Sequence, residues 1–405
     1  MEHTHTLIVG GGQAGLAASA HLTANAIPHL IVERGSIAER WRSARWDSLT
    51  MNGPAWHDRF PPMDFSGWAA DSFPTKDAVV DYFEAFAASI KAPVRCGVEV
   101  YSAVPSDQAG YAVETSKGVI HANNIIAATG PFQVPTRPDI VPDAAVRQLH
   151  SFDYKNPRQI EDGAVLVVGS GSSGAQIADE LMQAGRQVYL SIGPHERPPR
   201  SYRGKDYCWW LGTLGKWQAK VPPAGREHVT IAVSGADGGK TVDFREFAHR
   251  GMTLLGMTQN FKDGLFYFAG DLGENIAEGD KNYLALLAEA DHYITQNKLS
   301  FPREDSAKII PPDPPCLKTP IRQLDLQASG IKTLIWATGY KQNFDWLAVD
   351  CFTPEGRPDH QRGVSSVNGI YFLGLPWLSM RGSSFIWGVW DDAAHIAGHI
   401  ANPAA

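Results

Sequence analysis

Two glycine-rich turns constrain this chain more than any other feature. Gly10-Gly11-Gly12-Gln13-Ala14-Gly15 and Gly169-Ser170-Gly171-Ser172-Ser173-Gly174 share the spacing Gly-x-Gly-x-x-Gly, and each comes directly after a short apolar run. Residues 6–9 and 164–168 read as buried parallel strands, and 14–23 and 175–184 as the helices after each turn. In such a unit the first glycine permits the tight turn, the second lets backbone approach a pyrophosphate, and the third lets helix pack on strand. The pyrophosphate then rests on the free N–H groups at the helix N-terminus, where the macrodipole favours negative charge. One such turn is weak evidence. Two in strand-turn-helix context predict an α/β chain with two Rossmann-like dinucleotide-binding domains and a relay between two cofactors.

The residues downstream of each turn separate the two ligands. After the first unit, strand 29–32 ends at Glu33, whose carboxylate can accept hydrogen bonds from a ribose diol, as the adenosine of FAD or NAD requires. After the second, 187–190 ends at Ser191 with no acid, and Arg197, Arg200, Arg203 and Lys205 come next. A 2′-phosphate needs such a cationic environment, so the second site reads as one for NADPH. The competing account of these four residues is a solvated basic loop. The expected cofactor contacts are therefore Gly10, Gly12, Gln13, Ala14, Gly15 and Glu33 for FAD, and Gly169, Ser170, Gly171, Ser172, Ser173, Gly174, Ser191, Arg197 and Arg200 for NADPH. Two strand ends, Ala128-Thr129-Gly130 and Ala337-Thr338-Gly339, echo one another, and Thr129, Gly130, Thr338 and Gly339 would let backbone pass beneath a cofactor.

With 405 residues, 43% of them hydrophobic, the chain is long enough for two ordinary domains. A net charge of -7 argues against nucleic acid or an anionic membrane as partner, and no apolar run reaches the length of a membrane span. Cys96, Cys208, Cys316 and Cys351 are scattered, with no disulfide framework and no metal-ligand spacing, which fits a reduced, cytoplasmic setting and no metal. The apolar stretch 7–22 lacks a basic leader and is accounted for by strand, turn and helix.

The expected organisation is a FAD-binding part at 1–150, an NADPH-binding domain at 151–315 inserted in it, and a return to the FAD domain at 316–405. A helix over about 76–90 carries an apolar stripe with Thr75 as cap. Further strands are expected at 111–115, 124–128, 229–233 and 265–269, and a helix over 277–297.

The two turns, Ala337-Thr338-Gly339-Tyr340 and the linker Leu149-His150-Ser151-Phe152-Asp153-Tyr154-Lys155-Asn156-Pro157 resemble the flavin-containing monooxygenase family across essentially the whole chain. His150 and Tyr154 keep the second half of that family's linker pattern, while Ala144 and Val146 stand where it has Phe and Gly, which leaves the subclass open. The resemblance implies that Trp41 and the segment 46–52 line the flavin and that Asn52 points toward its reactive edge as the catalytic residue. A packed aromatic for Trp41, and a turn residue before Gly53-Pro54 for Asn52, are the local alternatives. His150 and Tyr154 read as structural or hinge contacts.

By the same resemblance, reduced flavin takes up O2 at its C4a carbon and delivers one oxygen atom to a small organic substrate. No two cysteines have the spacing of a redox pair that could take the electrons instead. Such chemistry needs a closed apolar site, and of the twelve tryptophans Trp209, Trp210, Trp217, Trp377, Trp387 and Trp390, all in the second half, are candidate walls. Ser383 and Ser384 beside Gly382 could offer donors to the ring. N- or S-oxygenation, insertion beside a ketone and oxidative decarboxylation stay open. So do an NADPH oxidase or reductase without oxygen insertion, a non-catalytic redox sensor, and a homodimeric assembly.

Overall fold

The computed structural model describes residues 2–107, 109–222 and 230–402. The first unit opens with β1 (Glu2–Val9), the glycine turn, α1 (Gln13–Ala24) and β2 (His29–Glu33). Ala14, Gly15, Leu16, Ala17 and Ala18 of α1 are buried, and their mostly small side chains let the helix lie close on the sheet. Next come α2 (Lys76–Ser89), β3 (Val94–Cys96), β4 (Val100–Pro105), β5 (Tyr111–Thr115) and β6 (Gly118–Ala127). The side chain of Thr75 accepts from Ala78 N at 3.3 Å, capping α2, which buries Val79, Val80, Phe83 and Phe86.

The second unit begins with β7 (Arg147–His150), then β8 (Ala164–Val168), the second glycine turn, α3 (Ser172–Gln183) and β9 (Val188–Ser191). It continues through β10 (Thr253–Leu255) and the long helix α4 (Leu272–Gln296), and ends with β11 (Ile331–Trp336). Its five strands run parallel in the order β10-β9-β8-β11-β7, and all five residues of β8 are buried. Of the strand expected over 229–233, Thr230–Ile231 pairs with His195–Glu196, and Val229 lies outside the described residues.

The last segment supplies β12 (His360–Gln361), β13 (Val364–Ser365), β14 (Ile370–Phe372) and α5 (Val389–Ala401), which packs on α1. These complete a nine-stranded first sheet ordered β12-β13-β14-β6-β1-β2-β3, with β5 against β6 and β4 against β5. The result is a mixed α/β fold built on two Rossmann-like sheets.

The boundaries expected at 150 and 315 need correction. β11 pairs with β8 and β7, so 147–150 and 331–336 belong to the second sheet. The chain rejoins the first unit at about 344–348, where Ala103 N donates to the Trp346 carbonyl at 2.7 Å and Ala348 N to the Ala103 carbonyl at 3.0 Å. A buried parallel strand ending in Ala-Thr-Gly has the same local sequence in either sheet, and only its neighbours decide which one it joins. The units also share core. Trp46 and Leu49, from the connection after α1 and β2, are buried with Tyr154, Ala175 and Ile177 of the second unit.

Candidate functional site

The two turns share the backbone approaches that require glycine. Gly10 has φ +117°, and a Cβ there would lie 2.5 Å from the Ala128 carbonyl oxygen. Gly169 has φ +108°, and its Cβ would lie 2.5 Å from that of Ala337. A Cβ on Gly15 would fall 2.0 Å from the Gly10 oxygen, and one on Gly174 would fall 1.8 Å from the Gly169 oxygen. These four positions exclude any side chain because backbone occupies the space. Each Ala-Thr-Gly strand end thus lies under its own glycine turn, and Thr338 and Gly339 accompany the second turn rather than the first.

Gly12 behaves differently: a Cβ there meets nothing within 4 Å. It is the N-cap of α1, as Gly171 is of α3, and neither helix has a side-chain cap, so the first N–H groups of both face outward. That open cradle fits a pyrophosphate. Glu33 completes the first site. Its carboxylate accepts from Gly11 N at 2.7 Å and Gly35 N at 2.9 Å, which fixes it at the end of β2 where a ribose diol would lie.

Other expected contacts have mainly structural partners. Gln13 donates to the Ser384 carbonyl at 2.8 Å, and Ala14 is buried against Gly374. Trp41 is half-buried between the two cores with Arg45 over its ring at 5.7 Å. Gln133 donates to Thr129 Oγ1 and to the Gly130 carbonyl, while Thr338 donates to the Thr136 carbonyl. Ser170 bonds Gly193, Ser172 donates to the Ile231 carbonyl at 2.7 Å, and Ser173 is half-buried. Ser383, expected as a donor to the flavin, is fully buried and instead accepts from Ser379 N and Met380 N.

The residues assigned to a 2′-phosphate all have internal protein partners. Ser191 is buried, donating to the Gly256 carbonyl at 2.9 Å and accepting from Thr258 N at 3.0 Å. Arg197, 3% exposed, pairs with Asp280 through Nη2 at 2.6 Å and lies over the Tyr283 ring. Arg200, 6% exposed, pairs with Asp206 and is sandwiched between the rings of Phe73 and Tyr207 at 4.7 and 4.4 Å. Arg203 pairs with Asp291, and Lys205 lies over Trp209. Neither a phosphate cluster nor a solvated loop describes them: they are internal ion pairs and stacked cations. Arg200→Ala should therefore leave the ratio of NADPH to NADH use unchanged while costing about 3 kcal/mol through the stranded Asp206. Steady-state kinetics with both dinucleotides and a melting curve check this.

Arg200 instead reaches the loop that carries Asn52. Its Nη1 donates to the Asn52 carbonyl at 2.6 Å, and Gln176 of α3 donates to Asn52 Oδ1 at 2.9 Å. The neighbouring Gly53 N donates to Asp58 Oδ2 at 3.1 Å, and the other carboxylate oxygen of Asp58 holds His57 Nδ1 at 2.6 Å. The His57 ring sits 5.5 and 5.2 Å from the rings of Trp217 and Trp387. Trp387 packs on Gly382, in the same loop as Ser384, which Gln13 of α1 holds. A continuous chain of contacts thus runs from the start of α1 to the start of α3, with Asn52 on it. Trp387 Nε1, a buried donor, has no protein partner among the described residues. Sequence reading missed His57 and Asp58 because their cage assembles from residues 56, 217 and 387. The adjacent His-Asp pair was the one local signal.

His150 is neutral and structural. Burial lowers its pKa, its Nε2 faces the Gly339 carbonyl at 3.1 Å and its Nδ1 accepts from Phe152 N. Tyr154 is fully buried, donating to Glu180 of α3 at 2.6 Å; burial, with Glu180 adding, raises its pKa. Three thiols are likewise held protonated. Burial pushes Cys351 up to about 11, raises Cys316, and raises Cys208 further with help from Asp58 and Asp206. Among the described residues no helix is long and apolar enough to cross a membrane, and no group of His, Cys, Asp or Glu is arranged to hold a metal ion.

Residues 7–211 match the family described as pyridine nucleotide-disulphide oxidoreductase. An uncharacterized oxidoreductase, CzcO-like, of Geobacillus kaustophilus is 33% identical over 410 residues, 99% of this chain and 100% of that protein. Indole-3-pyruvate monooxygenase YUCCA1 of Oryza sativa is 27% identical, covering 96% of this chain and 90% of that one. Among solved structures, a flavin-containing monooxygenase from Stenotrophomonas maltophilia superposes with a TM-score of 0.67 at 18% identity, covering all of both chains. The bacillithiol disulfide reductase of Staphylococcus aureus superposes at 0.63 with 13% identity, again over both whole chains. Both likenesses are of fold.

Proposed function

Because the chain belongs to the pyridine nucleotide-disulphide oxidoreductase family and is a flavin-dependent oxidoreductase, we propose that it is a monooxygenase, using a reduced nicotinamide dinucleotide and O2 to oxygenate a small organic substrate. FAD at the first turn supplies the redox and oxygen chemistry, and NAD(P)H at the second supplies its electrons. The protein binds, orients and excludes water. Gly10, Gly12 and Gly15 open the first cradle, Glu33 holds the ribose, and Gly169, Gly171 and Gly174 repeat the cradle for the second ligand.

The observation that carries the reading is Asn52, held by Gln176 of α3 and Arg200 and linked through Asp58 and His57 to Trp217 and Trp387. A side-chain amide there would serve as a donor to a reacting oxygen, with the nearby indoles of Trp217 and Trp387 helping to keep water out. Two further points support it. Cys208, Cys316 and Cys351 have thiols that burial keeps protonated, which disfavours a thiolate outlet for the electrons. The rice relative is named as a monooxygenase.

The test is stoichiometric. The FAD-loaded protein is supplied with NADPH or NADH, O2 and panels of amines, sulfides, ketones and 2-oxo acids. The expected result is one panel member that yields about one oxygenated product per dinucleotide oxidised, with little peroxide. Peroxide in equal amount to dinucleotide across every panel would replace this reading with an oxidase.

A further inference from the structure

Gln176 lies one turn into α3, the helix whose N-terminus faces the second cradle. Its side-chain amide nitrogen donates twice, to the Val233 carbonyl at 2.6 Å and to Asn52 Oδ1 at 2.9 Å. The direction of this pair is not arbitrary. A backbone carbonyl can only accept, so the Gln176 atom facing Val233 is the nitrogen. The same nitrogen meets Asn52, so the Asn52 atom facing it is the oxygen. The Asn52–Gly53 peptide is pinned through both its polar groups, the carbonyl by Arg200 and the N–H by Asp58. The Asn52 amide nitrogen is left without a protein partner among the described residues.

We propose that Gln176 is a positioning residue that turns the Asn52 amide donor toward the space between the two dinucleotide turns, so that α3 links the second cradle to the flavin side of the first. The inference rests on the proposed flavin reading of the first turn. The group the donor would meet is an oxygen acceptor. With the amide reversed, Asn52 would present a carbonyl oxygen instead and repel that acceptor.

Gln176→Glu is nearly isosteric but offers acceptors where Gln176 offered donors, so it should draw the Asn52 NH2 toward itself. Gln176→Met, uncharged and of similar length, removes the donors without adding charge, and answers for Gln176→Glu should that variant not fold. FAD content and melting temperature report folding. Two readouts on FAD-loaded protein decide the role. The visible difference spectrum that oxidised NADP produces in the bound flavin should shrink at least severalfold in both Gln176 variants. Peroxide released per dinucleotide oxidised should rise about tenfold, as for loss of one donor to a reacting oxygen.

Asn52→Asp, which keeps the acceptor for Gln176 and loses the donor, should raise peroxide equally. Adding Gln176→Glu to Asn52→Ala should change nothing more, since a positioning residue acts only through its target. Additive effects, or wild-type spectrum and peroxide yield in folded Gln176 variants, would overturn the assignment. If wild type itself releases only peroxide, the monooxygenase reading fails while the difference spectrum still decides the role of Gln176.

Discussion

Gly12→Val is expected to give a folded but colourless protein. Gly12 has φ -89° and ψ -165°, backbone that a β-branched residue adopts without strain, and a Cβ there meets nothing within 4 Å. The apoprotein loses only the difference between glycine and valine at an N-cap, about 1 kcal/mol. The valine methyls would nevertheless fill the cradle through which pyrophosphate must reach the first N–H groups of α1. Gly10→Val and Gly15→Val are the contrasting pair. Their side chains would drive into backbone at 2.5 and 2.0 Å, so they should fail to fold rather than fold without flavin. Absorbance of the purified proteins and their circular dichroism separate the cases. A Gly12→Val protein that purifies yellow would remove the first turn from the flavin site.

The second large effect is expected in the second unit, at α4. Asp280 of α4 receives Arg197 and Arg245 together, both buried, through separate carboxylate oxygens. Asp243 at 3.6 Å from Arg197 and Asp313 at 3.0 Å from Arg245 are secondary partners. Asp280→Ala would leave two buried guanidinium groups sharing those two acids, a loss of about 3–5 kcal/mol. Asp280→Asn, which can still accept one hydrogen bond, should lose less. The protein comprises two linked units, so the effect is best read as the melting temperature of the second unit followed by a local probe such as Trp210 fluorescence. An unchanged melting temperature would mean the ion pairs are replaced by water without cost.

The features readable in the chain and those hidden from it divide along physical lines. The glycine turns were legible because backbone contact forbids a side chain at fixed spacings, and the spacing is visible in the sequence. Glu33 was legible for the same local reason, standing at the end of a strand that begins after α1. Arg197 and Arg200 misled because their partners are distant or ambiguous: Asp280 comes from another helix, and Asp206 had no reason to be singled out. The strand at 331–336 was assigned to the wrong sheet because pairing partners are not written in a strand's own residues. Gln176, His57 and Trp387 gained meaning only from being brought together across the two units.

Above all, reduced flavin in this protein is expected to hand oxygen on in a controlled way rather than lose it as peroxide. Anaerobic, dinucleotide-reduced protein mixed rapidly with O2 and followed by its flavin spectrum tests this. The expected result is a species distinct from both oxidised and reduced flavin that persists for seconds and decays faster when Asn52 is replaced by alanine. A single-step return to the oxidised spectrum with an equal amount of peroxide, with each member of the substrate panel as without it, would contradict it.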